Sequence, residues 1–181
     1  KFTPLADGEL KTELEHYAHR QDFRMRGIFT MDGSKRSSKS NAFFTGFGPF
    51  RRIVLFDTLI HRHTVPELVA ILAHEMGHYK KHHVALALGL SFLTSGLVFG
   101  LLGLLIHNPV LTRACRFEQH SLYAGMVVFG LLYTPVATLL GILLNALSRQ
   151  HEYAADAYAA ATTGSPETMI LALKKLSRDS L

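Results

Sequence analysis

Two long stretches without charge constrain the fold of this chain more than any other feature. Residues 84–106 and 122–147 contain no Asp, Glu, Lys or Arg. Each is longer than the roughly 20 apolar residues that a helix needs to cross about 30 Å of hydrocarbon. We therefore predict two transmembrane helices joined by a loop. A pair of buried core helices is the alternative, but two such runs in one chain favour membrane spans.

Basic residues beside these runs predict the orientation of the chain. Lys80 and Lys81 precede the first run and Arg149 follows the second, so the positive-inside rule places both outer ends in the cytoplasm. Two arginines in the connecting loop, Arg113 and Arg116, weaken this assignment. The other basic residues are scattered among acids, without a nucleic-acid recognition motif. The lipid bilayer, and not nucleic acid, is therefore an expected partner.

The segment before the first run predicts a mixture of helix and strand. Apolar residues at helical spacing indicate a helix over 7–20. The runs "GIFTMDG", "NAFFTGFG" and "RRIVLFDTL" are rich in β-branched and aromatic residues, which predicts a small antiparallel sheet. In "TVPE", Thr64 and Glu67 have the spacing of a capping box. The helix that starts there is expected to continue into the first apolar run.

The sequence thus predicts a mainly α membrane protein with a small antiparallel β-sheet. Residues 1–83 form a cytosol-facing α+β part that ends with the helix beginning at "TVPE". Residues 84–147 form a transmembrane hairpin, with spans at about 84–106 and 122–147. Residues 148–181 form a helix that returns to the first side of the membrane.

The stretch "LAHEMGHYKKHHV" places four histidines and a glutamate in one predicted helix. His74 and His78 are four residues apart, so their side chains lie on one face, with Cα atoms about 6 Å apart, and can bind one ion. Glu75 lies just off that face, where a carboxylate acts as a general base in HExxH helices. His82 lies about 12 Å along the helix from His74, so we expect it outside the ligand set. Histidines that are merely solvated or buried in a core are the alternative.

A catalytic zinc site needs a third protein ligand, which must lie on the same side of the membrane. Two spans return the chain to that side, where four polar residues share one helical stripe: Asn145, Arg149, Glu152 and Asp156. We predict that Glu152 is the third ligand. Asp156, one turn further on, is positioned to accept the N–H of a ligating histidine. Arg149 either contacts the transition state or forms a salt bridge with Asp156 or with an acidic loop.

Two long motifs in this order resemble a known family. "HEMGH" followed by "SRQHEYAAD" resembles the M48 family of integral membrane zinc peptidases. "MDGSKRSSKSNAFFTGFG" with "RRIVLFDTL" resembles its CAAX prenyl protease 1 branch, the Ste24 type. The resemblance covers nearly the whole chain as one domain. It implies one Zn²⁺ per chain, held by His74, His78 and Glu152, with Glu75 as the catalytic base.

The resemblance also implies where a substrate binds. In the family, the strand that corresponds to "NAFFTG" lines the cleft and pairs with an extended peptide. Pairing at a sheet edge binds a peptide backbone with little regard for its side chains. The residues implied in substrate binding are Asn41, Ala42, Phe43 and Phe44. An ordinary sheet strand is the alternative, since both cases use the same backbone hydrogen bonds.

The function that the resemblance implies is that of an integral membrane zinc metalloendopeptidase. Its substrate would be a peptide or protein with a prenylated C-terminal cysteine, from which the last three residues are removed. The alternatives are an HtpX-like endopeptidase of membrane protein quality control and a catalytically silent zinc-binding scaffold, against which the intact Glu75 argues. A multi-pass protein is expected, in the endoplasmic reticulum of a eukaryote or the plasma membrane of a bacterium, with its site facing the cytoplasm. Family members carry further membrane helices and a further C-terminal segment, so the intact parent is expected to be the active enzyme.

Overall fold

The computed structural model describes residues 2–32, 42–46, 50–106, 108–116 and 121–179. The chain forms two compact units, one from 1–81 with 152–181 and the other from 82–151. The strands are β1 (Phe2–Pro4), β2 (Gly27–Met31), β3 (Ala42–Thr45) and β4 (Arg52–Phe56). The helices are α1 (Glu9–Arg20), α2 (Asp57–Arg62), α3 (Val65–Lys80), α4 (His83–Ile106), α5 (Pro109–Ala114), α6 (Leu122–Thr163) and α7 (Pro166–Asp179).

The sheet belongs to the first unit and is mixed, with the strand order β1-β2-β4-β3. The prediction of an antiparallel sheet is wrong at its centre, where β2 and β4 pair in parallel and Ile28 lies beside Ile53. The difference arises from which strands become neighbours. β3 and β4 are antiparallel to each other, and β2 pairs with β4 instead of with β3. Among the described strands, β1 and β3 are therefore the edges.

The core of the first unit packs one side of the metal-motif helix, α3, against the sheet and the neighbouring helices. Leu72 and Met76 of α3 are fully buried there, together with Leu14 of α1 and Ile53 of β4. Successive residues of a helix are rotated by about 100°, so positions 72 and 76 lie nearly opposite to positions 74 and 78. Burial of one face of α3 therefore turns the histidine face away from the core.

The start of α3 is the capping box that the sequence predicts. The Thr64 N–H donates a hydrogen bond to Glu67 Oε2 over 2.9 Å. Lys175 of α7 contacts the same carboxylate at 2.6 Å, and His63 Nδ1 lies 3.5 Å from it. Burial raises the pKa of the Glu67 carboxyl, but hydrogen bonds from Lys175 and Thr64 outweigh burial and hold the pKa below its ordinary value. This carboxylate links α7 to the helix that carries the HExxH motif.

The end of α3 differs from the prediction. The helix stops at Lys80, His82 has a left-handed backbone with φ of 58°, and α4 begins at His83. A residue in this conformation interrupts the helical hydrogen-bond pattern, so α3 does not continue into the first apolar run. Of the four histidines expected in one helix, α3 therefore contains only His74 and His78.

The second unit contains the two apolar runs. Apart from His83, no residue of α4 is buried, and large side chains such as Phe92 and Leu104 are mostly exposed. Both α4 and α6 are long and apolar enough to cross a membrane. Such broad apolar exposure is rare on soluble proteins, which supports the predicted spans. α6 continues past residue 147 to Thr163, so the second run and the start of the predicted return helix are one helix.

Candidate metal centre

Three side chains that are far apart in the sequence converge in the first unit. His74 and His78 lie on successive turns of α3, and their Nε2 atoms are 3.1 Å apart. Glu152, at the point where α6 enters this unit, places Oε2 at 3.4 Å from His74 Nε2 and Oε1 at 3.6 Å from His78 Nε2. The candidate ligand atoms all lie within 4.8 Å of one another.

These separations fit a zinc ion. Tetrahedral zinc with bonds of about 2.1 Å separates any two of its ligand atoms by about 3.4 Å. The three measured separations range from 3.1 to 3.6 Å. Two imidazoles and one carboxylate are also a known ligand set of catalytic zinc, and three protein ligands leave a fourth position open. The residues present therefore suit a catalytic rather than a closed structural site.

Asp156 determines which nitrogen of His74 is available to a metal. Its Oδ1 lies 2.8 Å from His74 Nδ1. Because an ionised carboxylate can only accept a hydrogen bond, this contact favours the His74 tautomer with its proton on Nδ1 and its lone pair on Nε2. The lone pair then faces His78 and Glu152, as coordination requires. Asp156 is thus at hydrogen-bond distance from His74, and its role beside a ligating histidine stays a prediction.

A close contact between α3 and α6 brings Glu152 to the histidines. The contact is at Gly77, which lies within the HExxH motif, and at Ala155, which lies between Glu152 and Asp156. A Cβ atom added to Gly77 would lie only 2.9 Å from Ala155 Cα and 3.1 Å from its carbonyl oxygen. Glycine is therefore required for the observed helix separation. Sequence reasoning missed this role, although the glycine between two candidate ligands was a visible signal.

Glu75 follows His74 and is only partly exposed. Burial raises the pKa of the Glu75 carboxyl to about 7; the adjacent His74 opposes this change, and the negative charge of Glu152 adds to it. Glu75 thus interacts electrostatically with two of the three candidate ligands, although it is not a member of that group.

The remaining predicted site residues are less closely tied to this centre. Arg149 is exposed and belongs to the second unit, so its role stays a prediction. Asn41 lies outside the described residues. Ala42, Phe43 and Phe44 lie on the edge strand β3, which contacts α3. Ala42 is buried and Phe44 packs on the core, whereas Phe43 points to the other face of the sheet.

Comparisons with known proteins identify relatives that match most of this chain. CAAX prenyl protease 1 of Saccharomyces cerevisiae is 40% identical over 176 residues, which cover 88% of this chain and 39% of that protein. The CAAX prenyl protease 1 homolog of Homo sapiens is 34% identical over 220 aligned residues, covering 100% of this chain and 46% of that protein. The crystal structure of S. mikatae Ste24p matches with a TM-score of 0.81 and 39% identity, over 97% of this chain and 44% of that one.

The comparisons also show how much of these longer proteins the chain covers and to which family it belongs. The chain spans less than half of the length of each of these proteins. The sequence pattern of Peptidase family M48, however, matches residues 4–180, which is nearly all of it. The chain belongs to peptidase family M48.

Proposed function

We propose that this chain is the catalytic region of an integral membrane zinc metalloendopeptidase that processes prenylated CAAX proteins at their C-termini. The observation that carries the proposal is the convergence of His74, His78 and Glu152, with Glu75 next to the first ligand. The substrate class is supported by the names of the relatives, which are CAAX prenyl proteases. The same names favour this substrate over that of an HtpX-like quality-control endopeptidase.

In this proposal His74 and His78 hold zinc through Nε2, and Glu152 holds it through a carboxylate oxygen. A bound zinc ion supplies Lewis acidity, which lowers the pKa of a water molecule towards about 7 and polarises a peptide carbonyl. Asp156 Oδ1 keeps the proton of His74 on Nδ1, so that Nε2 stays available.

Glu75 is the proposed catalytic base. Its carboxylate takes a proton from the attacking water and returns a proton to the amine that leaves when the peptide bond breaks. A general acid and base of this kind is worth about 10²–10⁴ in rate. A silent scaffold would have no use for this carboxylate, which argues against that alternative.

The edge strand β3 is the proposed binding surface for the peptide backbone. A substrate that pairs with β3 extends the sheet by one strand and lies next to α3, which β3 contacts. Ala42, Phe43 and Phe44, with Asn41 before them, are the proposed substrate-binding residues. Backbone pairing explains how one site can accept substrates with different side chains.

The proposed setting is a multi-pass protein with α4 and the apolar part of α6 in the bilayer. In this proposal the two helices form a transmembrane hairpin within residues 84–147, and the zinc site faces the cytoplasm, because Lys80, Lys81 and Arg149 flank the runs on that side. In a eukaryote the proposed membrane is the endoplasmic reticulum. Residues 1–83 and 148–181 then belong to the same side and to the same peptidase domain.

The decisive experiment compares the intact protein with its Glu75→Gln variant. Zinc content and cleavage of a farnesylated CAAX peptide are measured on the same samples. We expect one zinc per chain in both proteins and a fall in cleavage of at least 10²-fold in the variant, because only the base is lost. The matched control is Glu15→Gln, which changes an exposed residue of α1 and should behave as wild type. Full cleavage by Glu75→Gln would show that the assigned mechanism is wrong.

A second comparison tests the substrate. The farnesylated peptide and its unmodified twin are cleaved by the same wild-type preparation. Faster cleavage of the farnesylated peptide is expected. Equal rates would remove prenyl recognition, leave the peptidase intact and favour the quality-control alternative.

A further inference from the structure

A cluster of rings around one arginine lies where α3 ends, and we call it the aromatic junction. It consists of Phe23, Phe44, Arg51 and Tyr79. The Arg51 guanidinium carbon is 4.0 Å from the centre of the Tyr79 ring and 4.8 Å from that of Phe23. The Phe23 ring is 5.3 Å from Tyr79, edge to face, and 5.1 Å from Phe44. A single cation therefore contacts two rings that also contact each other.

The junction joins the metal-binding helix to the proposed substrate strand. Tyr79 directly follows the ligand His78 on α3, and Phe44 lies in the middle of β3. Phe23, between them, is buried in the segment that follows α1. Arg51 precedes β4, the strand that pairs with β3 along its length. The cluster thus links Tyr79, the residue after a candidate ligand, to the edge strand at which a peptide would pair.

Neighbouring hydrogen bonds hold the parts of the junction in place. The Arg26 N–H donates to the Arg51 carbonyl oxygen over 2.7 Å. Lys80 Nζ donates to the Gln21 carbonyl oxygen over 2.7 Å, and the Tyr158 hydroxyl donates to Gln21 Oε1 over 3.1 Å. The segment that carries Phe23 is therefore attached to α3 and to the end of α6, the two helices that hold the candidate ligands.

The residue types of the aromatic junction favour a role in positioning the neighbouring elements over a role in core packing alone. Aliphatic side chains would fill the same space without a preferred orientation, whereas a guanidinium against ring faces fixes distance and angle together. Tyr79 is also 38% exposed, so it buries less surface than a core residue would. A residue used only for core stability would be expected deeper in the core.

We infer that Arg51 and Tyr79 are positioning residues that set the location of β3 relative to the metal-ligating face of α3. This inference rests on the proposed function. A peptide paired with β3 then presents its scissile carbonyl at the zinc site. Loosening the junction leaves the backbone pairing and the zinc ligands intact but displaces one relative to the other. A displacement of about 1 Å can cost about 10²-fold in rate.

The test uses the intact protein with the farnesylated CAAX peptide. Tyr79→Leu and Arg51→Met, which keep apolar volume but remove the ring and the cation, should each lower kcat by at least tenfold. KM should change less than threefold, and zinc content should stay at one per chain, because binding and ligation do not use these side chains. Tyr79→Phe keeps the ring and should retain wild-type kcat.

Three outcomes with the single variants would overturn the inference. These are unchanged kcat in Tyr79→Leu or Arg51→Met, a rise in KM that accounts for the whole loss, and loss of zinc in parallel with activity. The double variant should lose no more than either single one, because the two residues act as one unit; additive losses would also contradict it. If Tyr79→Leu fails to fold, Arg51→Lys is the substitute variant, because lysine keeps the charge but not the planar group. It should show a smaller fall in kcat than Arg51→Met, at unchanged KM. Cleavage by wild type and its loss in Glu75→Gln test the proposed function separately.

Discussion

Replacing Gly77 by alanine tests whether the contact between α3 and α6 creates the metal centre. The added methyl carbon would lie 2.9 Å from Ala155 Cα and 3.3 Å from Ala155 Cβ. Carbon atoms in contact prefer about 3.5–4.0 Å. The two helices would therefore separate by about 0.6–1 Å at this point. The contact atoms are the backbone and Cβ of Ala155, which has no rotatable side chain, so no change of rotamer relieves the clash.

A displacement of this size should weaken metal binding strongly but should lower the stability of the fold only modestly. Metal–ligand distances tolerate about ±0.2 Å, and Glu152 lies on α6 within one turn of Ala155. We expect Gly77→Ala to weaken zinc binding by about 10–100-fold, the effect known for loss of groups that orient ligands. Overpacking costs about 1–3 kcal/mol, and the better helix propensity of alanine returns about 1 kcal/mol. The net loss of stability is thus only about 0–2 kcal/mol.

The assay is zinc competition against a chromophoric chelator, with thermal unfolding recorded in parallel. Gly89→Ala is the control, because a Cβ at this helical glycine meets no heavy atom within 4 Å. It should bind zinc like the wild type. If Gly77→Ala also keeps wild-type affinity while remaining folded, the contact with Ala155 does not position Glu152, and the reasoning is refuted.

Three further predictions follow from individual contacts. Asp156→Asn should lower zinc affinity by about 10–100-fold, measured by the same competition assay, because an amide no longer favours the His74 tautomer with its proton on Nδ1. Lys175→Met should lower stability at pH 7 by about 1–3 kcal/mol, because it removes a donor from the buried Glu67 carboxylate. Because the native pKa of Glu67 is depressed, its ionised carboxylate stabilises the fold fully above the ordinary glutamate pKa of about 4.3. This stabilisation is lost as pH falls through the lower native pKa. Thermal unfolding of Lys175→Met should therefore depend less on pH between about 5 and 3; an equally steep dependence would contradict the assignment. Thr64→Ala should cost about 1 kcal/mol in the same unfolding assay, as loss of a helix cap does, and an unchanged Tm would argue against the capping box.

The three residues of the candidate metal centre could be named from the sequence because each part of it follows from a short-range rule. His74 and His78 lie on one face whenever their segment is helical, and the capping box at Thr64 starts that helix. Glu152 and Asp156 are also one turn apart on a helix. Only the meeting of the two segments is long-range, and the sequence predicted it on the expectation that two membrane spans return the chain to its starting side.

The sheet could not be predicted in the same way. The composition of β2 and β4 indicates strands but not which strands become neighbours, and pairing order decides whether neighbours are parallel. β1 has three residues, which is too short for a pattern to be recognised. Phe56 and Asp57 mark the change from strand to helix within "RRIVLFDTL", where no glycine or proline separates β4 from α2.

The predicted ends of two helices, α3 and α6, were wrong for a related reason. His82 adopts a left-handed conformation without being glycine or asparagine, so no residue type marks the end of α3. Conversely, the change from apolar to polar residues near position 147 is not a change of backbone conformation, and α6 continues through it. It ends before Gly164, whose φ of 69° favours glycine, with Pro166 two residues beyond.

The candidate zinc site therefore depends on two kinds of structure that can fail separately. The histidine pair is local and persists in any variant that leaves α3 helical. The carboxylate ligand is non-local, because its position depends on the contact between Gly77 and Ala155. A variant such as Gly77→Ala can keep the whole HExxH motif and still lose the third ligand, and with it the geometry that three protein ligands provide. For this reason an HExxH motif alone is weak evidence of zinc chemistry, whereas the same motif packed against a helix that supplies a carboxylate is strong.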